Sequence, residues 1–375
     1  MFEGTASVPT PRLTQCLPGW EARVDNPPRV LGVVHGEGIG PEVVDAALAV
    51  FDAVTQRNGW RIDVHREEEN GAHGARADLT AARLAFCQSI FAAQGVVLCG
   101  PIGGRFVYDL RARFDLYCKL VPLRPSVALA DATIVRPERL QGVDVLIVRE
   151  NVGGLYLGEY GRRDEGRIAY QHLSYRADQV ARIVDVAARM ARARRGGLSA
   201  VVKTGGIPEV SALWREQVEA VASARSIAVE VIEADNACFQ LVADPQRFDV
   251  VVAPNLFGDV LADAATVLLG SRGMSYSGNF GPQRRAVYQT GHGAAHDLSG
   301  SDRANPVAQI LSVAMMLRES FGLVREALQI ETAVERVLAS GLRSPDIAAR
   351  GSRVAGTRAL GEHIAQEAAR IASEA

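Results

Sequence analysis

The sequence predicts an α/β protein built around a largely parallel sheet. Short β-branched apolar runs alternate with stretches of helical periodicity, which is the pattern of that fold class. The chain has 375 residues, of which 48% are hydrophobic, enough for a sizeable core and two lobes. The runs that predict strands are Val30–Val34, Val96–Cys99, Val143–Val148, Ala200–Lys203, Val229–Ile232 and Asp249–Val252.

Helical segments separate these runs. In the first of them Pro41 stands at a helix-starting position, and apolar residues recur on one face of the turns that follow. The predicted helices are Pro41–Val54, Asp178–Arg195, Ser211–Ala224 and Asn305–Glu319, with further helices towards the C-terminus. The sequence contains no long linker, so we expect the two lobes to interleave along the chain.

Composition excludes several classes of protein. Residues 1–28 combine prolines with polar residues and lack the apolar core of a signal peptide, so we expect a loose N-terminal extension. No stretch approaches the roughly 18 uninterrupted apolar residues of a membrane span. The net charge of −2 gives no support for nucleic-acid binding. Five dispersed cysteines without CxxC spacing predict reduced thiols and a cytoplasmic protein.

The segment Asn255–Asp263 places two carboxylates four residues apart. On a helix, Asp259 and Asp263 would lie on one face and repel each other. Two aspartate oxygens suit a hard divalent ion such as Mg²⁺ or Mn²⁺. A solvated helix edge is the alternative, and the spacing alone leaves both interpretations open.

Three glycines follow the first predicted strand, at Gly36, Gly38 and Gly40. Their spacing is G-x-G-x-G, which differs from the dinucleotide fingerprint G-x-G-x-x-G. Either a ligand approaches the backbone amides here, or the glycines form a tight turn between strand and helix.

Several separated motifs resemble those of the β-decarboxylating dehydrogenases, a family that includes isocitrate and isopropylmalate dehydrogenases. The motifs are Gly36–Val44, Val148–Tyr156, Asn255–Asp263 and His292–Asp297 followed by Asn305. The resemblance implies an isopropylmalate-dehydrogenase-like two-domain fold, with a large mixed sheet flanked by helices rather than a standard Rossmann fold. It also implies a cofactor-binding domain of residues 29–116 plus 271–375, and a substrate, metal and dimerisation domain of residues 117–270.

The same resemblance assigns the metal ligands and catalytic groups. Asp259 and Asp263 match two metal-ligating aspartates, and Asp235 matches the third, which the other subunit supplies in a homodimer with shared active sites. Lys203, at the end of an apolar strand, matches the general base, while Tyr156 matches the residue that protonates the carbon left by carbon dioxide. Burial and a nearby metal would lower the pKa of Lys203 towards what a base requires.

Substrate and cofactor residues are implied in the same way. Arg111 and Arg149 match arginines that bind substrate carboxylates, and Val107 and Tyr108 occupy positions that meet the variable group of the substrate. The implied cofactor residues are His292, Gly293, Ala294, Asp297 and Asn305. Asp297 favours NAD over NADP, because a carboxylate accepts ribose hydroxyls and repels a 2′-phosphate.

Departures from the family surround the substrate. Val121 replaces a substrate-binding arginine, and Gly205 replaces an asparagine. In an extended chain Lys119 faces the same side as Val121. Lys119 therefore either supplies a displaced positive charge, or the substrate lacks the group that the arginine would hold.

The sequence therefore predicts NAD- and Mg²⁺- or Mn²⁺-dependent oxidative decarboxylation of a 3-substituted, malate-like 2-hydroxy acid in a specialised pathway. One alternative is a non-catalytic regulatory subunit, which Val121 and Gly205 favour. Another is oxidation of a 2-hydroxy acid without decarboxylation. The retained aspartates, with Lys203 and Tyr156, favour an enzyme.

Overall fold

A ten-stranded sheet lies at the centre of the computed structural model, which describes residues 12–21, 29–68 and 78–374. The strands found there are β1 Val30–Val34, β2 Asp63–Arg66, β3 Val96–Cys99, β4 Cys118–Leu123, β5 Val145–Glu150, β6 Tyr160–Arg163, β7 Ile168–Gln171, β8 Leu198–Val202, β9 Val229–Glu233, β10 Val250–Ala253, β11 Tyr276–Phe280, β12 Ala286–Thr290, β13 Leu342–Arg343 and β14 Arg353–Val354. Pairs β6–β7 and β13–β14 form two small ladders, and the rest form the large sheet in the order β2-β1-β3-β12-β11-β4-β5-β10-β8-β9.

Helices flank this sheet. They are α1 Gly40–Arg57, α2 Ala81–Ala92, α3 Phe106–Phe114, α4 Pro137–Leu140, α5 Ala177–Ala193, α6 Pro208–Arg225, α7 Ala234–Ala243, α8 Asn255–Ala264, α9 Val307–Glu319, α10 Val324–Ala339 and α11 Thr357–Glu374. Helix α9 is buried almost all round and packs on β11 and β12, whereas α5 packs on β10 and β5. A helix that is apolar on all sides is expected at such a central position.

The predicted α/β class with a mixed sheet is confirmed. Every predicted strand and helix is present, with ends shifted by at most a few residues. The strands β2, β1, β3 and β12 run parallel to one another, as do β5, β10, β8 and β9, and antiparallel pairs at β12–β11, β11–β4 and β4–β5 join the two blocks.

The antiparallel centre was not predicted as strands. β4 contains Pro122, and β11 has the sequence Tyr-Ser-Gly-Asn-Phe, so both score poorly as strands by residue preference. Gly278 is required in β11, because a Cβ there would lie 2.5 Å from a ring carbon of Phe280. Tertiary packing therefore overrides local preference where the two blocks join. The predicted division at residues 116/117 and 270/271 falls between the neighbouring strands β11 and β4, and as a domain division it stays a prediction.

The N-terminal segment is packed where it is described. Leu17 and Trp20 are each 1% exposed, and the indole of Trp20 donates to the carbonyl of Gly281 over 3.0 Å. The backbone N–H of Thr14 donates to the buried carboxylate of Glu319. The expected looseness is therefore wrong for residues 12–21, since isolated apolar side chains without periodicity give no sign of burial. Residues 1–11 and 22–28 of the predicted extension lie outside the described part.

One edge of the sheet collects the residues of interest. Because β5, β10, β8 and β9 are parallel, their carboxyl ends meet at the same edge, where ligands bind in α/β proteins. Arg149, Asn255, Lys203 and Asp235 lie at or just beyond these four strand ends. In the described residues no helix is both long and apolar enough to cross a membrane.

Candidate active site

Helix α8 presents the two carboxylates of the predicted metal site. Asp259 and Asp263 both lie on it, as the spacing predicts. The helix packs closely on β5 because residue 258 is glycine: a Cβ there would lie 2.8 Å from Cγ of Arg149. The carboxylate pair is thus held next to a buried arginine rather than at a helix edge exposed only to solvent.

Arg149 is the central buried group. Its side chain is 1% exposed, and its Nε and Nη2 donate to Oδ1 of Asn255 over 2.9 and 2.7 Å. Its Nη1 donates to Oδ1 of Asp259. Burial opposes ionisation of Asp259, but the charges of Arg149 and its cationic neighbours outweigh burial and lower the pKa of that carboxyl. Burial raises the pKa of Asp263. The charge of Arg272, whose Nη2 donates to Oδ2 of Asp263 over 2.8 Å, partly opposes this rise.

Two further cations lie beside Arg149. Arg111 and Lys119 are 4% and 6% exposed, and Lys119 stands directly opposite Arg149 in the β4–β5 register. Burial, then the charges of Arg111 and Arg149, holds the pKa of Lys119 well below its usual value. Burial, followed by the charge of Arg149, lowers the pKa of Arg111 to about 10. Like charges opposite each other destabilise a strand pair, so this arrangement suits an anionic ligand.

The protein itself leaves these cations incompletely neutralised. Within the described residues, Nε of Arg111 is buried without a hydrogen-bond partner. The negative charges of Asp259 and Asp263 act on Lys119. Both carboxylates already accept a hydrogen bond from an arginine, Asp259 from Arg149 and Asp263 from Arg272. Guanidinium groups bind carboxylates bidentately, which fits Arg111 to a carboxylate ligand.

Two tyrosines border the cations. The hydroxyl of Tyr156 is hydrogen-bonded to Asp259, and burial together with that carboxylate raises its pKa to about 12. The rings of Tyr108 and Tyr156 lie 5.2 Å apart, and the guanidinium of Arg111 lies 5.6 Å from the Tyr108 ring. Val107 packs against the buried cluster around Phe106, so its contact with substrate stays a prediction.

Lys203 and Asp235 form a separate pair. Nζ of Lys203 donates to Oδ1 of Asp235 over 2.8 Å, with the side chains 39% and 72% exposed. Among the described residues no group of three metal-binding side chains occurs, so Asp235 does not join Asp259 and Asp263 within one chain. In the single chain the hydrogen bond with Asp235 raises the pKa of Lys203, and the lowered pKa expected from burial and a metal stays a prediction. Lys203 is solvated because β8 ends at Val202, so its side chain extends beyond the strand.

The glycine motif and the predicted cofactor loop touch each other. Gly38 has φ +59, and a Cβ on it would lie 2.0 Å from the carbonyl oxygen of Ala294. The N–H of Ile39 donates to that same oxygen over 2.9 Å. The space that Gly38 leaves is therefore filled by Ala294, which favours the tight-turn interpretation of this glycine.

The remaining cofactor candidates differ in whether their polar groups already have partners within the protein. Burial lowers the pKa of His292, whose Nε2 is buried without a hydrogen-bond partner in the described structure. Gly293 is exposed with open space beside it, and Asp297 is exposed. Asn305 accepts from the N–H of Val307 and donates to Asp346, so its amide serves the protein's own backbone and side chains.

Comparison with known proteins identifies the family. The family model described as isocitrate/isopropylmalate dehydrogenase matches residues 30–364. The chain belongs to the isocitrate/isopropylmalate dehydrogenase family. It is therefore an NAD-dependent oxidoreductase acting on a CH–OH group, and the family also uses Mg²⁺ or Mn²⁺.

Relatives in this family cover nearly the whole chain. The 3-isopropylmalate dehydrogenase of Parasynechococcus marenigrum (strain WH8102) is 37% identical over 350 residues, or 88% of this chain and 97% of the relative. That of Gloeobacter violaceus is 38% identical and covers 89% and 96%. A crystal structure of isocitrate dehydrogenase from Methylococcus capsulatus superposes with a TM-score of 0.78 at 30% identity, covering 91% of this chain and 99% of that one.

The residues of this site fit a divalent metal ion and NAD in part. Hard carboxylate oxygens on α8 suit Mg²⁺ or Mn²⁺, but one chain brings only two such ligands together. The unpaired Nε2 of His292 and the open backbone at Gly293 leave polar groups for a cofactor.

Sequence analysis missed Asn255 as a site residue in this dehydrogenase. Its side chain, 0% exposed, accepts from Arg149 and donates to the carbonyl of Gly153 over 2.9 Å, so it fixes the guanidinium. Its backbone N–H donates to the hydroxyl of Tyr175. An asparagine at a helix start suggests an ordinary cap, and only the fold shows that its amide faces Arg149 instead.

Proposed function

We propose that this chain, as a homodimer, catalyses NAD- and divalent-metal-dependent oxidative decarboxylation of a 3-substituted malate. The observation that carries the proposal is the cluster of three buried cations, Arg111, Lys119 and Arg149, beside the carboxylates of α8. A malate unit brings two carboxylates, which would neutralise the repulsion between Lys119 and Arg149.

The residues take separate roles in this proposal. Arg111, Lys119 and Arg149 hold the substrate carboxylates, and Asp259 and Asp263, with Asp235 of a second copy, would hold the metal. When bound, NAD accepts a hydride and the metal polarises the 2-oxygen. Lys203 of the second copy takes the hydroxyl proton, and Tyr156 gives a proton to the carbon that loses carbon dioxide.

Two exposed features support the second copy. Lys203 and Asp235 follow β8 and β9, which lie two and three strands away from the strand β5 that carries Arg149 in the same chain. Phe239 on α7 and Val260 on α8 are 66% and 52% exposed although α7 and α8 pack on each other. Large apolar side chains on adjacent helices are the kind of surface that a symmetric dimer covers.

Mixed dimers test the shared site. Homodimers of Lys203→Ala and of Asp259→Asn are each expected to be inactive, but a heterodimer would contain one intact site. Random reassociation after mixing should restore about a quarter of wild-type activity, because half of the dimers have one of two sites intact. If each subunit used its own Lys203, mixing would restore nothing, and the shared site would be wrong.

A substrate panel tests the reaction. Malate, 3-isopropylmalate, isocitrate and tartrate are each supplied with NAD and either Mg²⁺ or Mn²⁺, and NADH and carbon dioxide are both measured. Equal amounts of the two products support oxidative decarboxylation. NADH without carbon dioxide indicates oxidation alone, and no NADH from any 2-hydroxy acid contradicts the proposal.

Departures on the substrate side support a specialised substrate. Val121 is buried in the apolar core, so no cation occupies the position of the family arginine, while Lys119 lies one pleat earlier on β4. Gly205 leaves open space where the family has an asparagine. We propose that Val121→Arg shifts the substrate profile towards 3-isopropylmalate; an unchanged profile would show that this position does not set specificity.

The cysteines bear on the compartment in which the protein works. The five free cysteines of the described chain favour a reducing compartment such as the cytoplasm.

A further inference from the structure

An additional cation lies at the start of α3, outside the set that the family resemblance assigns. The guanidinium carbon of Arg105 lies 5.6 Å from the ring centre of Tyr108 and 5.1 Å from that of Tyr160. Its Nη1 donates to the carbonyl oxygen of Tyr156 over 3.3 Å. Two rings and a backbone carbonyl therefore orient a planar, permanently charged group.

This cation connects directly to the proposed active site. Tyr108 lies 5.2 Å from Tyr156, and the hydroxyl of Tyr156 is hydrogen-bonded to Asp259 on α8. The guanidinium carbon of Arg111, on the same helix, lies 5.6 Å from the centre of the Tyr108 ring. Arg105 is thus one aromatic ring away from the cations that would hold the malate unit.

Arg105 keeps donors for a ligand. Its acidic contact is with Asp109, at 3.3 Å, between side chains that are 35% and 43% exposed. A surface pair at this distance contributes little, and a guanidinium has five N–H donors. Within the described part of the chain, two of these donors are used in long hydrogen bonds, to Tyr156 and Asp109. An incoming anion can therefore bind without breaking a strong internal contact.

Charge counting indicates what that anion is. Arg111, Lys119 and Arg149 already match the two carboxylates of a malate unit, so Arg105 is available for a third negative group. We propose that Arg105, held over Tyr108, is a specificity-determining residue that selects malates whose 3-substituent ends in an anionic group. The inference rests on the proposed function, and it names the substrate class for that site: a carboxylate or another oxyanion carried on a short 3-substituent.

A matched pair of substrates tests the inference. Isocitrate is 3-carboxymethylmalate, and 3-isobutylmalate replaces its two terminal oxygens with methyl groups, so the two differ in charge and hardly in shape. The ratio of kcat/KM for isocitrate to that for 3-isobutylmalate should be at least about tenfold in the wild type, since a charge-assisted contact is worth roughly a factor of ten or more.

Substitution of Arg105 should change that ratio. Arg105→Met is expected to lower it at least about tenfold, mainly through KM for isocitrate, while Arg105→Lys keeps part of the preference as a point charge. Arg113→Met is the control, because Arg113 is an exposed arginine on the same helix and should leave the ratio unchanged. Thermal unfolding of each variant checks that the fold is retained.

The outcomes separate this inference from the proposed function. A wild-type preference for 3-isobutylmalate overturns it, as does an equal loss for both substrates in Arg105→Met, which indicates a merely structural role. Turnover of malates with no effect at Arg105 leaves the proposed function standing and removes only the inference. No turnover of any 2-hydroxy acid removes both.

Discussion

Two carboxylate–cation pairs at the same edge of the sheet show opposite environments. Arg149 and Asp259 form a pair whose side chains are 1% and 36% exposed, and Asn255 accepts two further hydrogen bonds from the arginine. Lys203 and Asp235 form a pair that is 39% and 72% exposed. The first pair is held by contacts within one chain and should contribute to stability, whereas the second has the exposure of an ordinary surface pair.

Breaking the buried pair gives the largest expected effect. Arg149→Met leaves the amide oxygen of Asn255 without its donors and removes the main partner of Asp259, whose side chain is 36% exposed, so we expect a loss of about 2–4 kcal/mol in the free energy of unfolding. Chemical denaturation of the purified variant measures this loss. Arg113→Met, on an exposed arginine, is the control. A loss below about 1 kcal/mol would mean that the buried pair is not a structural element.

The contact between α8 and β5 comes next. Gly258→Ala adds a Cβ 2.8 and 2.9 Å from Cγ and Cβ of Arg149, which is buried and cannot move away easily. We expect a loss of about 1–3 kcal/mol, together with slower turnover as the α8 carboxylates shift. Gly205→Ala is the matched control for stability, because nothing lies within 4 Å of its added Cβ. Equal stability of the two variants would contradict the close packing.

Substitution of Lys119 should change the free energy of unfolding by a smaller amount and in the opposite direction. Lys119→Met removes the like charge that faces Arg149, so the ligand-free protein should gain roughly 0.5–1 kcal/mol while substrate binding weakens. Burial lowers the pKa of Lys119 in the folded state, so the unfolded chain holds its proton to higher pH. Wild-type stability should therefore rise with pH through that lowered pKa, and the variant should lose this rise. Urea midpoints across a pH series measure both; a destabilised variant would contradict the repulsion.

The exposed pair gives the smallest effect on stability. Lys203→Met should leave the free energy of unfolding almost unchanged, because both partners are solvated. The same substitution should abolish NADH formation. Stability and activity would then separate at Lys203 and fall together at Arg149, and a large loss of stability in Lys203→Met would remove the contrast between the two pairs.

Local patterns predicted most parallel strands on either side of the antiparallel centre, but not the edge strand β2 or the strand β12. The strands β1, β3, β5, β8 and β10 are short β-branched runs, and burial on both faces makes such runs stand out. The edge strand β9 is only partly buried, and its alternating apolar residues predicted it. β4 and β11 lack that pattern, and they become strands because each pairs on both sides within the sheet. Residues 12–21 were likewise missed, since Leu17 and Trp20 are buried by distant parts of the chain.

The sequence by itself determined the family, the α/β class, the mixed sheet and the position of Asp259 and Asp263 on one helix, because these follow from motif order and from residue spacing. Only the tertiary structure decided which charges are buried together. It placed Lys119 opposite Arg149 through strand register, brought Arg105 to Tyr156 and Tyr160, and left Lys203 with Asp235 in solvent. Burial and electrostatic interaction depend on neighbours from distant segments, and no local pattern of residues contains that information.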